Sequence, residues 1–452
     1  MKSNLRIKLN SAWFSIDHHS LSEFGIDSIN EIEMVIDEFE KSTLFNIFQN
    51  CHDHLRPEGV LKINHGLEII RPLRGDESPI EKFQIMREEW SRPDLTYDYL
   101  CRILKLSGFL LTTVKNDRII ATKESERLRN FLPEVNITIP AYKSNFFYYA
   151  LLSAAGQSYQ NTRVIVADEG VDRNIEQIVS DFQIKFPKAR ITYIKHTSPK
   201  GEIENFEFCR KVASGKYLKY LNDDDILDPN CVKLFVRFLE AFEDSVTLIS
   251  SRRNVVDSDN NEYEVAPELP FVPMFHSNVY VFGKEVIEYL LNNNFNQLGE
   301  PSVVMFRLKD TDEKLTRIED PQYPCSFDMI LNFKLLLKGN LIYLKDALSL
   351  FRVHSMQASK ITDFGSLNAY KVWANMILLM KHRYNVFRDL GIYRLALGRA
   401  RTMLNQGLEK FRDASAKSSL LEEIVKLDSE LDTLRNVKPQ QCSLQSFFTL
   451  VD

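Results

Sequence analysis

Between about residue 134 and residue 365 the chain alternates short β-branched runs with stretches of helical period, and this alternation restricts the fold more than any single motif does. The first run, Val135-Asn-Ile-Thr-Ile-Pro140, is apolar and closed by a proline at its end. A helical segment rich in aromatic and small residues runs from Phe146 to Ser158, without a breaker until Gly156. Arg163-Val-Ile-Val-Ala167 is a second buried strand, ending in Asp168-Glu169-Gly170. Ile175, Ile178, Val179 and Phe182 mark a helix before the strand Arg190-Ile-Thr-Tyr-Ile-Lys195, and another helix spans Phe206 to Ala213. A βαβαβαβ series of this kind predicts a largely parallel sheet with helices on its faces.

The fourth strand carries the strongest chemical signal. Lys216-Tyr-Leu-Lys-Tyr-Leu221 runs straight into Asn222-Asp-Asp-Asp-Ile-Leu-Asp-Pro229. Three adjacent carboxylates raise one another's pKa when they crowd together, and a divalent cation with a diphosphate would relieve the conflict. In open α/β sheets ligands sit at the carboxyl ends of the strands. Tyr142, Asp168, Glu169 and the Asp223–Asp225 cluster all fall there. Capping of helices and turns is the competing role for any one of them.

Composition bounds the partners. The chain has 452 residues, 44% hydrophobic and 26% charged, which is ordinary for a globular protein with room for about three domains. A net charge of -5 argues against nucleic acid, whose backbone needs a basic footprint. The six cysteines have no C-x-x-C spacing and read as packing residues of a reduced, cytoplasmic protein. No signal-peptide core or run of membrane-spanning length is present, so contact with a membrane would be peripheral, at its inner face. Cys51-His-Asp-His54 has the residue types of a metal cluster but sits in a helical stretch without further spaced ligands, and reads as structural.

The ordered set Ile137-Thr-Ile-Pro-Ala-Tyr142, Ser158-Tyr159, Val164-Ile-Val-Ala-Asp-Glu-Gly170, Lys200-Gly201 with Asn205, Ala213-Ser-Gly-Lys-Tyr217 and Asn222-Asp-Asp-Asp-Ile-Leu resembles the bacterial family 2 inverting glycosyltransferases of GT-A fold. Gly299-Glu-Pro-Ser302, Asp328 and Phe351-Arg-Val-His-Ser-Met-Gln-Ala-Ser359 extend the resemblance over about half the chain. It implies an α/β GT-A domain over 131–365, between a small α/β domain at 1–130 and a helical region at 366–452. It also implies transfer of a sugar from a nucleoside diphosphate, UDP or dTDP favoured, to a hydroxyl of a glycan or lipid-linked acceptor in surface polysaccharide or lipopolysaccharide synthesis.

Under that resemblance Pro140, Tyr142, Glu169, Asn205 and Asp223 bind the donor nucleotide, with Tyr142 stacked on the base and Glu169 at its N–H edge. Glu169 replaces the commoner Asp, and Asn222 replaces the first acid of the DXD motif. Asp224, with His354, would hold Mn²⁺ or Mg²⁺. Arg352 would neutralise phosphate, Glu300 would bind acceptor hydroxyls, and Asp328, at the start of a helical run, would be the general base. Glu319 and Asp320 stand next in line for that role. Helix N-capping is the alternative for Asp328, worth about 1 kcal/mol. For His354 the alternative is a structural histidine beside a surface arginine.

The flanks read more weakly. A helix is expected from Ile29 to His54 and strands at Val60–Ile63, Phe109–Val114 and Arg118–Ala121. Leu55-Arg-Pro-Glu-Gly-Val-Leu-Lys-Ile and Leu104-Lys-Leu-Ser-Gly-Phe-Leu-Leu resemble the C-terminal half of a class I methyltransferase that lacks the glycine-rich cofactor loop, which implies packing or docking. Near the other end, Leu420, Ile424, Leu427, Leu431 and Leu434 form a seam that fits a homodimer or a helix packed on its own protein. Two rival functions stand beside transfer: a sugar nucleotidyltransferase, opposed by the glycine-free segment Pro140–Asn145, and a non-catalytic scaffold.

Overall fold

The computed structural model describes residues 132–442 except 243–244, 260, 262–271, 312–313, 315–317, 319–326 and 355–362. It also describes positions 51 and 104 and the strands outside that span. The described residues fall into two compact units, one drawn from 1–199, 214–217 and 221–233, the other from 200–213, 218–220 and 234–452.

The first unit holds two sheets. One is made of β1 (Asn4–Leu9), β2 (Ile29–Ile36), β3 (Leu55–His65), β4 (Phe109–Lys115) and β5 (Arg118–Lys123), in the order β1-β2-β3-β5-β4. Three of these strands were legible, but Ile29–Ile36 is a strand and not the start of a helix. Its apolar residues satisfy a helical spacing, yet β2 pairs with β1 on one side and β3 on the other, and those two ladders override the local pattern.

The other sheet of this unit begins with β6 (Val135–Ala141), β7 (Thr162–Asp168) and β8 (Ile191–Lys195), paired in parallel. The helices α1 (Phe147–Ala155) and α2 (Asn174–Lys185) are the crossovers. β6 is buried almost throughout, as a parallel strand covered on both faces should be. Asn136 and Thr138 are its buried polar residues, and Asn136 has a structural use. Its Oδ1 accepts from the backbone N–H groups of Ser214 and Gly215 at 2.7 and 2.8 Å, which fixes the approach to β9 (Tyr217–Tyr220).

β9 is shared, Tyr217 counting with the first unit and Leu218–Tyr220 with the second, and the two-residue β10 (Ile226–Leu227) belongs to the first. In the second unit the strand order is β15 (Phe448–Leu450), β12 (Val279–Val281), β14 (Asn340–Arg352), β11 (Val246–Val256), β13 (Val304–Arg307), β9. β11 and β14 are parallel, whereas β13 and β12 join them antiparallel, so this half of the α/β fold is mixed. Its helices include α3 (Glu202–Val212), α5 (Gly283–Asn293) and α6 (Phe327–Lys338). α4 (Cys231–Ala241) begins in the first unit and continues in the second.

The α/β arrangement expected of a GT-A-type domain is followed by a C-terminal helical region of α7 (Asp363–His382), α8 (Leu390–Lys410) and α9 (Ala414–Thr433). α8 starts at Leu390-Gly391, where Asp389 caps the amides of Gly391 and Ile392. Leu420, Ile424, Leu427 and Leu434 are buried, and α9 packs on α7 and α8 within its own unit. Among the described residues no helix is long and apolar enough to cross a membrane. Among the described residues Cys51, Cys209, Cys231 and Cys442 are buried and in no disulfide, as packing cysteines should be. His52–His54 of the histidine-rich segment lie outside the described residues.

Candidate active site

In the first unit the chain ends of β6, β7 and β9 gather several of the expected residues. Tyr142 follows β6 with its side chain about half exposed, at 52%, which leaves a ring face open for stacking. The backbone N–H groups of Tyr142 and Lys143 both donate to Asp223 Oδ2, each at 2.7 Å. Asp223 thereby ties the loop after β9 to the loop after β6. Its carboxyl is pushed up to about 7, chiefly by burial and then by the charge of Asp224, against the opposing pull of those two amides.

The three consecutive aspartates do not converge. Asp225 is buried, accepting from Asn222 Nδ2 at 3.1 Å. That contact accounts for the asparagine where the motif has an acid, because a carboxylate at 222 would repel Asp225. Asp223 is taken by the amides, and Asp224 remains partly exposed between them. Glu169 is buried just beyond β7, its backbone N–H bonded to Ala141 O. Asp168, also at this strand end, is committed to structure: it accepts from Tyr193 Oη at 2.7 Å, Lys195 Nζ at 3.0 Å and the Gly170 amide. Pro140 lies within β6.

The donor set here suits a hard cation. Asp223 and Asp224 offer carboxylate oxygens alone, with one acid already destabilised in its charged form by the other. Among the described residues no three His, Cys, Asp or Glu side chains are gathered as a closed metal cage. The fit is to an ion held by one or two carboxylates and completed by phosphate oxygens and water, which is the habit of Mg²⁺.

The remaining candidates belong to the second unit. Asp328 is the second residue of α6, and its Oδ2 accepts from Asn296 Nδ2 at 2.9 Å. Burial raises its proton affinity, opposed by the amide of Met329, by Asn296 and by the charge of Arg253. Glu300 precedes a short 3₁₀ turn, Pro301–Val303, and forms an ion pair with Arg253 at 3.0 Å. Its carboxyl is also raised, first by burial and then by Asp328, with Arg253 and Lys219 acting against. Asn296, Glu300 and Asp328 thus form one polar group in which two acids share the charge of Arg253.

α5 continues through Asn292 and Asn293 and ends at Asn294 in the left-handed region. Arg352 is not a surface arginine. It is fully buried at the end of β14 and donates through Nη1 to Asp257 O at 2.9 Å, which favours a role in tying the strand ends. His354 is buried two residues later. Asn205 is buried in α3, its amide bonded to Gly201 O. Glu319, Asp320 and 355–359 lie outside the described residues.

Sequence reasoning did not single out Arg253 or Asn296. The available signal was a pair of arginines, Arg252 and Arg253, inside a strand with no other charged residue, where Arg252 is exposed and Arg253 buried.

Residues 136–293 match the family model described as Glycosyl transferase family 2. The chain is 23% identical over 257 residues to an uncharacterized glycosyltransferase of Rickettsia felis, covering 57% of this chain and 40% of that protein. It is 29% identical over 107 residues to the Escherichia coli UDP-Glc:alpha-D-GlcNAc-diphosphoundecaprenol beta-1,3-glucosyltransferase WfaP, covering 24% and 41% respectively. The chain spans about two fifths of the length of each of these relatives. The crystal structure of S. aureus TarS 1-349 in complex with UDP-GlcNAc is similar at 15% identity with a TM-score of 0.44, over 68% of this chain and 92% of that one.

Proposed function

We propose that the chain is a metal-dependent inverting glycosyltransferase that moves a sugar from a nucleoside diphosphate, UDP or dTDP favoured, to a hydroxyl of a glycan or lipid-linked acceptor. The observation that carries the proposal is the clasp of Asp223 by the Tyr142 and Lys143 amides, within the region that matches the family 2 model. It brings an exposed aromatic ring and an acidic pair together at strand ends. Those are the parts a nucleotide diphosphate needs.

In this reading Tyr142 stacks on the base, Glu169 accepts from its N–H edge, and Pro140 and Asn205 complete the pocket. Asp223 contacts the ribose or a water, and Asp224, with His354, would hold Mg²⁺ or Mn²⁺. The cation would supply Lewis-acid stabilisation of the leaving diphosphate. Asp328 takes the proton of the acceptor hydroxyl as its oxygen bonds to the anomeric carbon. The bond from that carbon to the diphosphate oxygen breaks, the leaving group keeps the electron pair, and the configuration inverts. Glu300 would orient acceptor hydroxyls. Arg352, buried on a carbonyl, would act on phosphate only by its charge.

The setting we propose is bacterial surface polysaccharide or lipopolysaccharide synthesis, with the protein cytoplasmic or peripheral at the inner membrane face. For the first 130 residues we propose packing or partner docking, as a methyltransferase-like remnant. A homodimer through the C-terminal helices would have to use surfaces other than the seam that α9 spends on α7 and α8.

Calorimetry of UDP, dTDP, GDP and CMP, with and without Mn²⁺, tests the proposal. Metal-dependent binding of one diphosphate, lost in Asp224→Ala, is expected. No binding of any nucleotide would turn the assignment towards a non-catalytic scaffold.

A further inference from the structure

Arg253 lies near the end of β11 with its side chain only 7% exposed, and it is aimed inward beside two acids. Its Nε is 3.0 Å from Glu300 Oε2. Gly299 adopts φ +98, and a Cβ there would run into the guanidinium, so the Gly299-Glu300 turn closes directly on the cation. The same turn is held from below by Asn296, whose Nδ2 donates to Gly299 O at 3.1 Å and to Asp328 Oδ2 at 2.9 Å. A continuous chain of contacts therefore runs from Arg253 through the turn and Asn296 to Asp328.

We propose that Arg253 is a positioning residue for Asp328: by clasping the Asn296–Glu300 turn it fixes the carboxylate in one orientation and places a positive charge beside two neighbouring acids. This rests on the assignment of Asp328 as the base. A second acid beside a general base is a liability, since like charges disfavour ionisation of both. The local structure answers that liability with Arg253.

Several charged and titratable groups among the described residues face the pair. Arg253 acts on both Glu300 and Asp328, and Lys219 acts on Glu300. Lys219 Nζ is anchored on the carbonyls of Ser302 and Val304, so it is fixed in place and its charge reaches Glu300 at longer range. Beyond Arg253 lies the buried phenol of Tyr343, pushed up to about 12 by burial against the pull of that arginine. Asn296 contributes no charge, but its amide leaves Asp328 Oδ2 a single orientation. The closed turn explains why glycine stands at 299, where any side chain would expel the guanidinium.

The test reads Asp328 directly. In the full-length protein, carbon NMR of Asp328 Cγ is titrated in wild type, Arg253→Lys and Arg253→Met, alongside the pH dependence of nucleotide-sugar turnover. Arg253→Met is expected to raise the Asp328 midpoint by about one pH unit or more, the effect of losing a nearby opposite charge. The acid limb of the rate profile should move with it, and Arg253→Lys should restore much of the shift. Gly299→Ala, which displaces the guanidinium without removing its charge, guards against a misfolded Met variant and should shift the midpoint in the same direction by less. An unmoved midpoint in both Arg253→Met and Gly299→Ala, with the normal loss of turnover in Asp328→Asn, overturns the inference alone. Full turnover in Asp328→Asn overturns the base assignment, and the inference with it.

Discussion

Two acidic groups in this molecule face the same electrostatic problem and meet it differently. Asp223 and Asp224, in the first unit, crowd each other, opposed mainly by two backbone amides and more weakly by the charge of Lys143, and Asp223 is left with a carboxyl at about 7. Glu300 and Asp328, in the second, are both raised by burial, and Glu300 by Asp328 as well, but Arg253 opposes the rise in both and Lys219 in Glu300. Two amides give directional hydrogen bonds without a full charge, so they orient a carboxylate better than they neutralise it. The first group is held chiefly by backbone donors. The second carries its cations as side chains. That difference suits the first to recruit a metal with its diphosphate and the second to handle a proton.

The largest effect that would break the contrast is loss of the base. Asp328→Asn should lower turnover by about 10³-fold, the middle of the range for general-base removal, while nucleotide binding stays within about twofold. Loss of nucleotide binding in that variant, seen by calorimetry, would mean that Asp328 serves the donor. Next comes the metal. Asp224→Ala should cut Mn²⁺-dependent nucleotide binding by about two orders of magnitude, in line with the several kcal/mol that a bound cation contributes. Excess EDTA should act on wild type in the same sense. Turnover that survives EDTA would remove the cation from the first group.

The pH dependence of stability sharpens the comparison further. Asp223 binds its proton more tightly in the folded than in the unfolded chain, so the unfolding free energy contributed by this group falls as pH rises from about 4 through 7. The melting temperature of metal-free protein should therefore fall between pH 5 and pH 8, and added Mn²⁺ should recover it on the alkaline side. Asp223→Asn should flatten the profile, because an amide oxygen still accepts from Tyr142 and Lys143 without titrating. A profile that is the same in that variant would place the pH sensitivity elsewhere.

The parallel strands β6, β7 and β8 were legible because β-branched runs bounded by polar residues have few other ways to fold. The strand-end position of Tyr142 and Asp223 followed from the same pattern. What the sequence concealed was partnership. Three aspartates in a row read as one cluster, yet Asn222 draws Asp225 inward and the amides after β6 take Asp223. Arg253 was concealed for a related reason. Its partners Gly299 and Glu300 lie far along the chain, and only the packing of β11 beside the turn before β13 brings them to it. β2 was misread because its helical spacing says nothing of the strands on either side.

The smallest effect separates two asparagines of the same short segment. Asn294 ends α5 at φ 54, a backbone position that asparagine tolerates and glycine prefers. Asn294→Gly should therefore change stability by no more than a few tenths of a kcal/mol and leave turnover alone. Asn296 stands two residues on, and its Nδ2 bridges Gly299 O and Asp328 Oδ2. Asn296→Leu removes a hydrogen bond to a carboxylate, an interaction worth about 1.5–3 kcal/mol, and should lower turnover about tenfold with donor affinity unchanged. Were both variants equally silent in a steady-state assay, Asn296 would be no more than a second turn residue, and the carboxylate of Asp328 would owe its orientation to the first turn of α6 alone.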